Sequence, residues 1–379
     1  MGETPEIRTL IRVALRRCTS IAVVSLLTGL AAAQPVAPTL PLVRVTDIPL
    51  GGNTTRLDYE SLDQGRHLLF IAHLGDSAVI VFDTQAERVV TRIPGVSHVH
   101  GVLAIPELGR VYASATGTSE VVAIDESTLK VTARAPGGIY PDGMAYAPDV
   151  RRLYVSDEHG GTDTVIDVRT NTRIATIALG GEVGNTQYDP VSHHIFSNVQ
   201  TRRQLVEIDP ASEEIIARVD LRGAEGNHGL LIEPRQRRAF IACEGNHKLL
   251  VLDLETRKMT ASFDVGDDPD VLAYDSALGY LYVAAESGIV SVFRAQPGQV
   301  SKVGEGMVGS NAHVVAVDPG THRSYFPLKN VDGQTVMRIM SPVPATSSPE
   351  TPTKTSAHLK DDVVPSHPQI VPDALDKSS

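Results

Sequence analysis

At 379 residues the chain is too long for one ordinary domain of ~150 residues, so internal repeats are the first feature to seek. Trp is absent and Gly and Pro are frequent, a composition that suits many short strands joined by turns. The formal charge of -11 repels phosphate backbones, and no Lys/Arg run or cluster of stacking aromatics offsets it, which argues against nucleic acid as a partner.

Residues 1–33 read as an export signal. Arg8, Arg12, Arg16 and Arg17 form a basic start, Ile21 to Leu30 is a short apolar run, and Ala31-Ala32-Ala33 is a small-residue cleavage site before Gln34. The run is shorter than the ~20 residues of a membrane span, so the expectation is a periplasmic or secreted protein with no span after cleavage. An uncleaved anchor is the alternative. Arg16-Arg17 hints at twin-arginine export, but Cys18-Thr19-Ser20 follows where apolar residues belong.

Next comes Val43-Arg44-Val45-Thr46-Asp47-Ile48-Pro49-Leu50-Gly51-Gly52, which resembles the later run Arg173-Ile174-Ala175-Thr176-Ile177-Ala178-Leu179-Gly180-Gly181. From here a repeat of about 42 residues runs through the chain. An aromatic recurs in a β-prone run at Phe70, Tyr112, Tyr154, Phe196, Phe240, Tyr282 and Tyr325. An Asp ends the following run at Asp83, Asp125, Asp167, Asp209 and Asp253, placed to accept hydrogen bonds from the next backbone N–H groups and fix a tight turn. A polar residue opens the first strand of each repeat at Asp58, His100, Asp142, Asn185, His228, Asp270 and His313.

Seven entries in that column mean seven repeats, each with strands a to d. Four-stranded sheets bury both faces by stacking radially, so the predicted fold class is all-β, a seven-bladed β-propeller over residues 34–340. The last repeat holds three strands before a Pro/Ser/Thr-rich tail at 341–379, expected to be disordered. The segment around Val43 to Leu50 is expected to supply the missing outer strand and close the ring. Cys243, the only cysteine left after cleavage, sits in the strand-like run Ala239 to Cys243 and reads as a small buried hydrophobe.

Pro141-Asp142-Gly143-Met144-Ala145-Tyr146-Ala147-Pro148-Asp149, followed by Leu153-Tyr154-Val155-Ser156 and Val165-Ile166-Asp167, resembles the YVTN family of β-propeller repeats. Pro269-Asp270-Val271-Leu272-Ala273-Tyr274-Asp275 with Leu281-Tyr282-Val283-Ala284 does so too, and up to about residue 340 the chain resembles a YncE-like propeller protein. Arg294 and Ser341 stand where repeats six and seven would carry the turn Asp. The resemblance implies a fold and no particular chemistry, because that family shares no single activity.

The polar column is the sharpest candidate site. Asp58, His100, Asp142, Asn185, His228, Asp270 and His313 begin innermost strands and therefore meet at one mouth of the channel. His100, His228 and His313 are spread nearly evenly around the axis with carboxylates beside them, a set suited to a divalent transition metal such as zinc or copper. The competing reading is a wet, hydrogen-bonded channel lining with no ion. The b–c loops on the same face add His73, Asp157, Glu158, His159, Glu244, His247 and Glu286 as an outer rim. No phosphate loop, nucleophile elbow or haem-attachment motif appears. Two functions stand open. One is a monomeric binding or scaffold protein of the cell envelope, taking a protein or small-molecule ligand on this face. The other is a metal-dependent enzyme, such as a lactonase, lyase or oxidoreductase, centred on the Asp/His ring.

Overall fold

The computed structural model describes residues 39–343; the export signal at 1–33 and the tail beyond residue 343 lie outside the described residues. Short runs of β-branched and aromatic residues separated by Asp- and Gly-containing turns form seven antiparallel sheets of four strands each. The innermost strands are Glu60–Asp63, Val99–Ile105, Pro141–Ala147, Val183–Asp189, Asn227–Glu233, Pro269–Asp275 and Ala316–Asp318. Each touches the next, and the last touches the first, so the sheets close into a seven-bladed β-propeller.

The recurring aromatic is the centre of each blade. Phe70, Tyr112, Tyr154, Phe196, Phe240, Tyr282 and Tyr325 are all buried. The apolar core lies between blades rather than within one. Leu57, Leu69, Ile71, Ile80 and Phe82 of the first blade pack with Tyr325, Met337 and Ile339 of the seventh. A lone sheet exposes both apolar faces, so each blade depends on its neighbours.

The turn aspartates act as expected. Asp83 accepts from the backbone N–H groups of Gln85 at 2.9 Å and Ala86 at 2.8 Å, and Asp253 accepts from Thr256 N–H at 2.7 Å. On the same rim His193 pairs with Asp149 at 2.7 Å and His322 with Asp275 at 2.8 Å, so these histidines clamp adjacent blades.

Closure uses the N-terminal segment. Leu42–Pro49 pairs antiparallel with the last strand, Gln334–Pro342, in the register Ile48↔Met337 and Val43↔Ser341. The last strand runs past residue 340 because Ser341 and Pro342 find partners on Val43 and Leu42. Arg338 reaches across the seam to Asp47, with Nη2 to Oδ2 at 2.6 Å.

Candidate functional site

Five of the polar ring residues stand where the ladder between strands a and b breaks. Register shifts fall between Val99 and Val102, Pro141 and Met144, Val183 and Thr186, Asn227 and Leu230, and Pro269 and Leu272. His100, Asp142, Asn185, His228 and Asp270 lie inside those gaps. A bulge re-aims a side chain and terminates pairing, so each is released from the sheet toward the axis. Asp58 and His313 precede their shortened innermost strands, at Glu60 and Ala316.

The backbone leaves no room for a side chain beside several of these residues. A Cβ on Gly101 would overlap the Asp142 carbonyl oxygen, and one on Gly229 would overlap the Asp270 carbonyl oxygen. Innermost strands therefore approach closely, and polar ring side chains crowd together at the mouth.

That mouth is a cavity of about 590 Å³. Asp58, His100, Asp142, His228 and Asp270 line it, and Glu158, Glu244 and Glu286 from the b–c loops surround them. Seven carboxylates face it against one guanidinium, Arg56, which makes it strongly acidic.

His228 is at the centre. Its Nε2 lies 3.0 Å from Tyr59 Oη, 3.7 Å from Asp270 Oδ1 and 3.8 Å from Asp142 Oδ2; its Nδ1 lies 3.0 Å from Gln200 Nε2 and 3.8 Å from Glu244 Oε1. Burial alone would discharge this imidazole, but Glu244, Asp270, Asp142 and Glu158 hold its pKa up at about 9. The carboxyls move the same way: burial and the nearby Asp58 raise Asp142 to about 7, against the pull of His228, and burial drives Asp270 well above the ordinary range. Burial is the main cause for the acids, whereas the surrounding carboxylates raise the base against burial.

Each remaining ring residue has its own partners. His100 Nδ1 donates to the His98 carbonyl at 3.0 Å and its Nε2 meets Tyr140 Oη at 2.8 Å. Asn185 Nδ2 donates to Tyr59 Oη at 2.6 Å. Asp58 accepts from Arg56 Nε at 3.1 Å and from Tyr59 N–H at 3.1 Å. His313 Nδ1 donates to the Asn311 carbonyl at 3.0 Å, and its Nε2 has no hydrogen-bond partner. Asp142 Oδ1 and Asp270 Oδ1 are likewise buried without one.

The three histidines do not gather into one group. Two clusters instead have ligand atoms mutually within 4.8 Å: Asp58 with Asp270 and His313, and His228 with Glu244 and Asp270. Each combines one imidazole with two carboxylates.

No protein-family model matches the chain, and no curated protein matches it. Solved structures do. The chain is similar to a chain of "Kuenenia stuttgartiensis Hydrazine Synthase" (TM-score 0.64, 15% identity, 82% of this chain and 99% of that one). It is also similar to a chain of "Structure of U3-55K" (TM-score 0.68, 10% identity, 80% and 99%) and to one of "Crystal Structure of Mitotic Checkpoint Complex" (0.67, 11%, 86% and 98%). At these identities the likeness is one of fold alone.

Of the rim residues picked out in the sequence, Glu158, Glu244 and Glu286 reach the mouth. His73 is fully buried against Thr55 Oγ1 at 3.0 Å and serves the scaffold. Asp157 is spent on the backbone N–H groups of Ile139 and Tyr140. His159 packs against Tyr140, with ring centroids 4.3 Å apart and the planes tilted by 41°, and His247 Nδ1 accepts from Asp268 N–H. Sequence reasoning passed over Arg56, Tyr59, Tyr140 and Gln200. A signal existed for two of them: Arg56 and Tyr140 stand two residues before ring positions 58 and 142, as His98 and Asp268 stand before 100 and 270, and all four line the mouth.

Proposed function

We propose that this protein is an exported, YncE-like propeller of the cell envelope that binds a small cationic ligand at the acidic mouth of its channel. One observation carries the reading: seven carboxylates converge on a cavity with a single guanidinium, and two of them, Asp142 and Asp270, keep a buried oxygen without a hydrogen-bond partner. Buried acceptors without donors are costly, and a cation entering the mouth removes that cost. A rigid disc with polar groups gathered at one end of its axis fits a binding or scaffold role, and a monomer suffices because all seven blades come from one chain.

Export rests on the basic, apolar and Ala-rich pattern of residues 1–33, and family membership rests on the repeat motifs; N-terminal sequencing of the protein from the periplasm or medium should give Gln34. Among the described residues no helix is long and apolar enough to cross a membrane.

Thermal melts of metal-free protein with spermidine, arginine and choline, against citrate and succinate, test the ligand class. Cations should raise the melting temperature and anions should not, and the double substitution Asp142→Asn/Asp270→Asn should remove the response. A response to anions, or an equal response in the double variant, contradicts the reading. The second reading, a metal-dependent enzyme such as a lactonase, lyase or oxidoreductase, is favoured by the two imidazole–carboxylate clusters.

A further inference from the structure

We propose that Asp58, Asp270 and His313 hold a divalent metal ion at the mouth, an assignment that rests on reading the mouth as a cation site. These residues come from blades one, six and seven, which adjoin across the seam of the ring. One ligand atom from each lies within 4.8 Å of the other two, and all three residues are buried.

The imidazoles decide between this cluster and its rivals. A carbonyl only accepts, so the His313 Nδ1 that bonds the Asn311 carbonyl carries the proton and Nε2 carries a lone pair. His313 is 2% exposed, and that Nε2 has no hydrogen-bond partner; its nearest carboxylate outside the cluster is Glu286 Oε1 at 3.8 Å. His100 and His228 have both ring nitrogens within 3.0 Å of a partner. His313 therefore keeps a free, buried donor nitrogen where those two do not.

Asp270, in the same cluster, also keeps a buried Oδ1 without a hydrogen-bond partner, 3.7 Å from His228 Nε2. Lone pairs of an imidazole and two carboxylates facing one another repel, and a cation among them turns that repulsion into ligation. Asp58 is oriented by Arg56 and the Tyr59 N–H, while Arg56 is itself matched by Glu286 at 2.5 Å. Such outer partners fix a ligating carboxylate as they do in known metal centres. One nitrogen and two oxygens suit Zn²⁺, Mn²⁺ or Fe²⁺, and lack the thiolate or thioether that selects Cu(I).

The test uses purified mature protein stripped with a chelator, dialysed against Zn²⁺ or Mn²⁺ and assayed for bound metal by mass spectrometry. One ion per chain is expected, with affinity falling at least tenfold in His313→Ala and in Asp270→Asn. Should His313→Ala fail to fold by circular dichroism, Asp58→Asn, which keeps the shape of the side chain, must show the loss. Absence of bound metal overturns the site, as does undiminished binding in the variants. A loss in His100→Ala as large as in His313→Ala also overturns it, in favour of an ion shared by the three imidazoles. Spermidine melts on the metal-free protein separate the two ideas: stabilisation by spermidine without metal binding sinks this site alone, and failure of both sinks the cation reading with it.

Discussion

Glycine beside the ring is where the fold and the mouth constrain each other most tightly. Gly229→Ala and Gly101→Ala put a Cβ into the carbonyl of the adjacent innermost strand, whereas a Cβ on Gly143 meets nothing closer than Ser156 Oγ at 3.5 Å. Backbone cannot yield as a side chain does, so the first two substitutions should each cost about 1–3 kcal/mol and Gly143→Ala much less. Denaturant melts of the three variants check the ranking; equal costs would refute the close approach. Asp163 gives a second test. It is buried between blades three and four, accepts from Ser197 Oγ at 2.6 Å and Thr186 Oγ1 at 3.2 Å, and feels Asp157; burial lifts its pKa to about 6. A raised carboxyl favours folding fully below its unfolded value near 3.8, and that contribution is lost as pH climbs through about 6. Asp163→Asn does not titrate, so its stability relative to the native chain should rise between pH 4 and 7, by on the order of 3 kcal/mol. A pH-independent difference would contradict the shift. Cys243, buried and pushed up to about 12 by desolvation, should resist alkylation in the folded protein.

Strand by strand, the sequence was most legible where local rules act. The aromatic column, the turn Asp and the closing strand each follow from β-propensity, turn chemistry and the need to cover an edge, and each is found at its expected place. Deleting residues 43–50 should lower the melting temperature far more than deleting residues 347–379, since it strips the partner from the outer strand of blade seven and leaves unpaired backbone groups. Equal melting points for the two truncations would refute the role of that strand. The mouth was legible in position but not in detail. Column spacing placed His100, His228 and His313 on one rim, yet which group each imidazole meets depends on residues far away in sequence. Tyr59 and His228 are 169 positions apart and 3.0 Å apart in space. Nor does periodicity along one strand reveal the bulges that turn ring side chains to the axis, because the one extra residue shows only against the register of the partner strand.

Taken whole, the molecule gathers seven carboxylates against one guanidinium at one end of its axis. Most carboxylates on the opposite rim that form contacts are spent on backbone N–H groups, histidines or arginines, as at Asp189, which receives Arg237 at 2.6 Å and the Val191 N–H at 3.1 Å. At the mouth the balance fails, with the seven carboxylates facing one guanidinium and Glu244, Asp270 and Asp142 raising the pKa of His228 against its burial. A ligand of positive charge is the simplest complement to that field. The most direct measurement is a crystal structure of the mature protein grown at neutral pH with spermidine. The account predicts density for the cation inside the mouth, with an amine against Asp142 or Asp270. A mouth holding only water, with spermidine bound elsewhere on the acidic surface or not at all, would contradict it.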